Sequence, residues 1–118
     1  MSKQKRNRAK KIKRIKEFRK ERTREGEGHP RFFFKKIGRR LFGLGITHGE
    51  RKDGLNTIKL AKNPEPHPTN KKAARIVPKI EEVPERDLSN RLIGWAFSEE
   101  DEKTVNDLIA ELEKKQNK

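Results

Sequence analysis

The stretch HPRFFFKKIGRRLFGLGITH, residues 29–48, decides the fold that this sequence predicts. Residues 31–36 and 40–48 are both rich in aromatic and branched side chains, which favour β-strands, and a turn glycine, Gly38, lies between them. We therefore predict an antiparallel hairpin over these residues. Gly43 and Gly45 weaken the second strand and predict a β-bulge or a sharp bend within it.

The residues after this hairpin predict two further strands. Residues 55–60 form a short third strand, and the prolines of residues 63–70 exclude both helix and interior strand, so a long exposed loop follows it. Residues 73–77 and 80–83 are interrupted by Pro78. They predict a bent or edge strand that ends at Pro84.

The C-terminal residues predict a docked amphipathic helix over 99–115. Ser98 stands at the N-cap and Asp101 at the position from which a side chain reaches back to it. Four apolar residues follow at the spacing of one buried stripe, namely Val105, Leu108, Ile109 and Leu112. Trp95 and Phe97 precede the helix, and we expect them to anchor it on the sheet.

The first 25 residues form a basic N-terminal extension. They carry 13 Lys and Arg against 3 Glu, with a thin apolar line at Ala9, Ile12, Ile15 and Phe18. A spacing of three places these residues along one side of a helix, but the stripe is too narrow to stabilise a helix alone. We expect residues 1–25 to be helical or disordered, and residues 26–118 to form the folded domain.

Charge and composition restrict the class of function. The chain has 118 residues, of which 42% are charged, and a net charge of +14, so a nucleic acid is the expected partner. Residues 81–118 carry 11 acids against 6 Lys and Arg and should face away from that polyanion. There is no cysteine, and we expect neither a metal nor a cofactor. No apolar run is long enough to span a membrane, which predicts a cytoplasmic protein.

Pairing of the hairpin strands would bring the two ends of residues 29–48 together. His29, Arg31, Thr47 and His48 would then form one cluster with an imidazole, a fixed positive charge and a hydroxyl, which are the groups needed to act on a phosphodiester. We take these four as the candidate catalytic residues. The candidate RNA-binding residues are the basic side chains of the extension, the turn and the following loop: Arg6, Arg8, Lys10, Lys11, Lys13, Arg14, Lys35, Lys36, Arg39, Arg40, Arg51 and Lys52.

Three stretches in this order resemble the MazF/PemK-like toxins. They are Gly-His-Pro at 28–30, Ile46-Thr47, and the run from ARIVPKIEEVPERDLS (74–89) to WAFSEEDEKTVNDLIAEL (95–112). The resemblance covers roughly residues 26–115. It implies a small SH3-like β-barrel, a metal-independent endoribonuclease of a toxin–antitoxin system, a homodimer and an acidic antitoxin partner.

The same resemblance assigns catalysis to an Arg and a Thr or Ser, which correspond to His29 and Thr47 here. The family usually has Arg where this chain has His29, so either the catalytic groups are rearranged, with Arg31 supplying the positive charge, or activity is lost. Two other functions therefore stay open. One is a non-catalytic RNA- or ribosome-binding adaptor on the same fold, and the other is a phage or plasmid protein that binds another protein through its Phe-rich strand, residues 32–34.

Overall fold

The chain folds into one antiparallel sheet with a helix against one of its faces. The structure is a computed structural model and describes residues 11–48, 56–69 and 72–116. Its elements are β1 (Ile12–Thr23), β2 (Gly26–Ile37), β3 (Arg40–His48), β4 (Ile58–Lys59), β5 (Ala74–Pro84), a 3₁₀ turn (Glu85–Asp87) and α1 (Glu99–Gln116). The strand order is β1-β2-β3-β5-β4. A mainly β fold with a C-terminal helix is confirmed.

The predicted hairpin is formed by β2 and β3. Gly38 makes the turn with a φ of 62°, a conformation that costs glycine little. A Cβ at Gly43 would lie 2.4 Å from the Phe32 carbonyl oxygen, so no larger residue fits there. The register shifts between Phe33 and Lys35, so an irregularity lies next to the strand glycines, but its extra residue, Phe34, belongs to β2 and not to β3.

The helical or disordered interpretation of residues 1–25 is wrong for Ile12–Thr23, which form β1 and pair along the whole of β2. Ile15 and Phe18 pack into clusters on opposite faces of the sheet, as an odd separation along a strand requires. The register also shifts between Arg14 and Glu17. The backbone groups along the outer edge of β2 need partners, and β1 supplies them. The first strand of the sheet therefore lies within residues 1–25, which the sequence analysis separated from the folded domain.

Two apolar clusters lie on the two faces of the sheet. The larger, here called the helix face, includes Phe32 and Phe34 together with Val105 and Ile109 of α1. The smaller, here called the open face, contains Phe33 and three other buried side chains: Leu41, Val83 and Leu88. All three phenylalanines are buried, so none of them offers the exposed ring that binding of another protein through residues 32–34 would use. Successive strand residues point to opposite faces, which lets a single sheet bury the whole triplet.

Helix α1 confirms the predicted 99–115 element, and Trp95 and Phe97 are its anchors. The Phe97 ring lies 5.0 Å from that of Phe18 and 4.8 Å from that of Phe32, and the Trp95 ring lies 5.7 Å from that of Phe18. The Asp101 backbone N–H donates to the Ser98 Oγ at 3.2 Å, which confirms the cap.

The Asp101 side chain has a different role from the one its spacing suggested. Its carboxylate is buried and accepts hydrogen bonds from the backbone N–H groups of Ala61 and Lys62 at 2.8 and 2.9 Å. It therefore holds the loop after β4 against the first turn of α1, instead of closing that turn on itself.

The strand β5 is bent, as Pro78 predicted. Its register with β3 shifts between Leu44 and Ile46, which leaves residues 77–79 opposite Gly45 alone. The segment after β5 then crosses to the outer edge of β1. There the Ser89 N–H donates to the Lys20 carbonyl at 2.8 Å and the Leu92 N–H donates to the Phe18 carbonyl at 2.8 Å. Within the described residues, no helix is long and apolar enough to cross a membrane.

Candidate nucleic-acid interface

Seven of the predicted RNA-binding residues lie at one end of the sheet, where β1 begins, β2 ends and β3 begins. This basic end consists of Lys11, Lys13, Arg14, Lys35, Lys36, Arg39 and Arg40. The turn at Gly38 brings the last two beside the first five. The other predicted RNA-binding residues, namely Arg6, Arg8, Lys10, Arg51 and Lys52, lie outside the described residues.

The β1–β2 register places cations directly opposite one another at three positions. The pairs are Lys13↔Lys36, Arg14↔Lys35 and Arg19↔Arg31. Like charges opposite each other in a sheet are destabilising, so each pair calls for a nearby anion. The carboxylates that contact each pair distinguish the cations that stabilise the fold from those that a ligand can bind.

The pair Arg19↔Arg31 is fully neutralised by carboxylates on the open face. Arg31 bonds to Glu21 and, at 3.2 Å, to Glu81. Arg19 bonds to Glu17 and, at 3.3 Å, to Glu85. This network lies in the middle of the sheet and has no cation left over.

The pair Arg14↔Lys35 is bridged by one carboxylate from α1, that of Glu113. The Lys35 Nζ lies 2.9 Å and the Arg14 guanidinium 3.3 Å from its oxygens. Burial raises the pKa of Glu113, but the hydrogen bond and charge of Lys35 and the charge of Arg14 outweigh this and lower the pKa below its ordinary value. The Lys35 Nζ also lies 5.0 Å from the centre of the Phe42 ring, and its side chain is only 14% exposed. Lys35 is therefore a structural cation.

The pair Lys13↔Lys36 has one carboxylate for two cations. The Lys36 Nζ lies 3.0 Å from the Glu85 carboxylate, which also serves Arg19. The hydrogen bond from Lys36 lowers the pKa of Glu85, and the charges of Lys36 and Arg19 add to this against the opposing effect of burial. Lys13 is exposed and makes no ion pair with any described residue.

The same lack of a partner extends to the neighbours of Lys13. Lys11 and Arg39 are exposed and, in the part of the chain that the structure describes, form no ion pair, whereas Arg40 bonds to Glu82 at 2.8 Å. An open cleft of about 700 Å³ lies here, lined by Lys11, Ile12, Lys13, Arg14, Lys36 and Gly38. An anion in this cleft would provide the negative charge that the Lys13↔Lys36 pair lacks.

The four candidate catalytic residues lie toward the other end of the sheet, and among the described residues no hydrogen bond or ion pair joins one of them to another. Arg31 is held between Glu21 and Glu81. Six residue steps along β2 separate Arg31 from Ile37 at the basic end, about 20 Å of extended chain. The candidate catalytic residues are thus remote from the described candidate RNA-binding residues.

The hairpin mouth is arranged differently from the prediction. The β2–β3 ladder ends with Arg31 opposite Gly45, and His29 is an exposed residue two positions beyond Arg31. Thr47 and His48 are consecutive in β3 and therefore point to opposite faces. The His48 Nε2 lies 3.3 Å from the Asn63 side-chain amide.

Thr47 belongs to a row of three polar residues, and the sequence did not reveal this arrangement. Thr47 is opposite Arg75 of β5, and Arg75 is opposite Lys59 of β4, so a hydroxyl, a guanidinium and an ammonium stand side by side across three strands. The Arg75 guanidinium donates to the Thr57 hydroxyl at 3.4 Å. Among the described residues no carboxylate pairs with Arg75 or Lys59. Only the β3–β5–β4 register creates this row, and no local motif signals it.

Within the described ranges, no group of three or more carboxylate or imidazole side chains converges as metal ligands. Neither protein-family models, nor curated proteins, nor solved structures match this chain. Evidence on function therefore comes from the geometry of the two ends of the sheet.

Proposed function

We propose that this chain binds RNA through its phosphate groups at the basic end of the sheet. The observation that carries the proposal is the Lys13↔Lys36 pair, in which only Lys36 contacts a carboxylate among the described residues. In the other two like-charged pairs of β1 and β2, both cations contact one. A backbone phosphate supplies the missing charge, and Arg39 at the turn provides a planar donor for its oxygens.

The sequence before β1 adds to the same surface. Residues 1–10 contain five cations and no acid, and they lead directly into Lys11. A basic segment of this kind contributes affinity that does not depend on base sequence, because it neutralises phosphates and releases counterions. Binding of this type is expected to be strong at low salt and weak at high salt.

The fold is compatible with the small SH3-like barrel that the MazF/PemK resemblance implies. The support is the five-stranded antiparallel sheet, its C-terminal helix and the hydrogen bonds that join residues 89 and 92 to β1. We retain the family as part of the proposal, and the RNA-binding function does not depend on it.

A salt titration with matched nucleic acids tests this function. We expect the full chain to bind a single-stranded RNA with a steep linear decrease of log K against log salt, with a slope of about −0.7 for each phosphate contact. Lys11→Gln combined with Lys13→Gln should reduce that slope by about 1.4 on the same scale. The control is the pair Lys103→Gln and Lys114→Gln on α1, which changes the net charge equally. Salt-independent binding, or equal effects of the two pairs, would overturn the proposal.

A second candidate function, cleavage of RNA, is favoured by the row Thr47–Arg75–Lys59. In this reaction the 2′-oxygen attacks phosphorus, the bond to the 5′-oxygen breaks, a base takes the 2′-proton and an acid protonates the leaving 5′-oxygen. Arg75 and Lys59 would stabilise the extra negative charge on the phosphorus centre, and the Thr47 hydroxyl would donate to a phosphate oxygen. The products are a 2′,3′-cyclic phosphate and a 5′-hydroxyl.

The roles of the other candidate residues follow from their surroundings. Arg31 is committed to Glu21 and Glu81 and would support the sheet, so we assign the positive charge to Arg75 instead. His29 is exposed and is the candidate for proton exchange, because an imidazole can take and release a proton near neutral pH. An acidic antitoxin, if the chain is a toxin, would bind the cations of either end through its carboxylates.

Incubation of the chain with RNA at low salt, followed by analysis of the fragment ends, tests cleavage. We expect cyclic phosphate ends with the wild type and a loss of at least about 100-fold in rate with Arg75→Gln or Thr47→Val. Arg91→Gln, an exposed cation of the segment after β5, is the control. Cleavage that persists in both variants would refute this assignment, and intact RNA with the wild type would leave binding as the function.

A further inference from the structure

Glu113 is one of two carboxylates of α1 that pair with cations of the sheet among the described residues, and the other, Glu102, bonds to Lys16. Glu113 lies three residues before the last residue of α1, where the negative end of the helix dipole disfavours a carboxylate. Its two partners, Arg14 and Lys35, both belong to the basic end. The helix therefore places an anion against the surface that we propose to bind RNA.

The two partners of Glu113 differ in how far they are exposed. The Lys35 side chain is 14% exposed and lies under the Phe42 ring, which leaves no approach for a phosphate. The Arg14 side chain is 65% exposed and also lines the cleft with Lys11 and Lys13. Arg14 is thus the cation that can bind either Glu113 or an external anion.

We propose that Glu113 is an internal competitor of RNA that keeps Arg14 on α1 and limits the RNA contacts of the basic end to Lys11, Lys13, Lys36 and Arg39. This inference rests on the proposed RNA binding and specifies which cations of the basic end take part in it. A phosphate that approached Arg14 would meet the negative charge of a carboxylate that already contacts one nitrogen of the guanidinium at 3.3 and 3.4 Å, and it would compete with that carboxylate for the cation. The helix thereby lowers the affinity for RNA, and the surface that contacts the bound RNA ends before Arg14.

Lys36 also shares its carboxylate with a second cation. Its partner Glu85 serves Arg19 too, so a phosphate that takes Lys36 leaves the Glu85 carboxylate with one cation, just as the loss of Arg14 would leave Glu113 with Lys35. The two carboxylates differ in exposure, which is 35% for the Glu85 side chain and 20% for that of Glu113. Water therefore compensates Glu85 better for the loss of a cation, and Lys36 is more readily released to RNA than Arg14 is.

The closing experiment compares Glu113→Gln with Glu111→Gln, which removes the same charge from the same helix. Glu111 is exposed and, among the described residues, pairs only with Lys115, so it is a matched control. We expect Glu113→Gln to bind single-stranded RNA about 5-fold more tightly than Glu111→Gln, with a salt slope steeper by about 0.7, the value for one added contact. Adding Arg14→Gln to Glu113→Gln should abolish the difference.

A second pair of variants applies if Glu113→Gln is poorly folded. Arg14→Gln and Lys13→Gln change neighbouring residues by the same charge. We expect Lys13→Gln to weaken RNA binding at least about 3-fold and Arg14→Gln to change it less than about 1.5-fold, because Arg14 is already occupied. Equal slopes for Glu113→Gln and Glu111→Gln, or equal losses for Arg14→Gln and Lys13→Gln, would overturn this inference while leaving the salt-dependent binding of the wild type intact. Absence of that wild-type binding would instead refute the proposed function itself.

Discussion

Lys13 and Lys36 lie directly opposite each other on neighbouring strands, and only Lys36 has a carboxylate partner among the described residues. Folding therefore brings two positive charges together without full compensation. This arrangement opposes stability and favours an external anion, so one substitution should affect the two properties in opposite directions.

Lys13→Gln should stabilise the free protein and weaken its binding to RNA. Removing one of two opposed charges should raise the free energy of unfolding by about 0.2–1 kcal/mol at low salt. Thermal unfolding without RNA and a binding titration, each at low and high salt, measure the two effects. Lys103→Gln, an exposed cation of α1, serves as the control. A loss of stability in Lys13→Gln would contradict the interpretation of this pair as uncompensated.

Asp101→Ala should destabilise the fold by about 2–4 kcal/mol, because two backbone N–H groups, of Ala61 and Lys62, would lose a charged acceptor. Urea unfolding measures this loss. The matched variant is Asp107→Ala, an exposed carboxylate on the same helix, for which we expect less than about 0.5 kcal/mol. Comparable midpoints for the two variants would show that the loop after β4 does not depend on Asp101.

Gly43→Ala should be strongly destabilising, because the new Cβ would meet the Phe32 carbonyl oxygen at 2.4 Å and the Phe33 ring at 2.7 Å. We expect a loss of at least about 2 kcal/mol, since backbone and a fully buried ring must both move. Gly45→Ala is the control, because its Cβ would meet Val77 at an ordinary 3.5 Å. The urea midpoints of the two variants distinguish close packing at Gly43 from a general loss of chain flexibility.

Stability should decrease as the pH falls below the ordinary glutamate value of 4.5. The pKa values of Glu85 and Glu113 are lower in the folded state than in the unfolded chain, so the unfolded chain takes up protons first as the solution is acidified. Their contribution is complete above the unfolded pKa and is lost as the pH falls through the folded values. Unfolding in urea from about pH 7 to about pH 3 measures this, and the double variant Glu85→Gln, Glu113→Gln should show a smaller decrease over the same range.

The sequence predicted the elements whose signals are local. The turn at Gly38 and the cap at Ser98 are set by a few neighbouring residues, and the helix α1 shows its buried stripe at regular spacing. The prediction failed for β1, because its periodicity matches a helix and only the pairing with the edge of β2 makes it a strand. It also failed for Asp101, whose hydrogen-bond donors come from a loop about 40 residues earlier in the chain.

By itself, the sequence determined the charge of the chain, its β-hairpin and its C-terminal helix, because composition and local spacing suffice for these. Only the tertiary structure decided which cations are structural and which are available to a ligand. That distinction depends on strand register and on which carboxylates reach each cation, as Glu113 reaches Arg14 and none of the described carboxylates reaches Lys13. It also placed Thr47 beside Arg75. The strand register is determined by packing on both faces of the sheet, and this packing involves residues that are far apart in the chain.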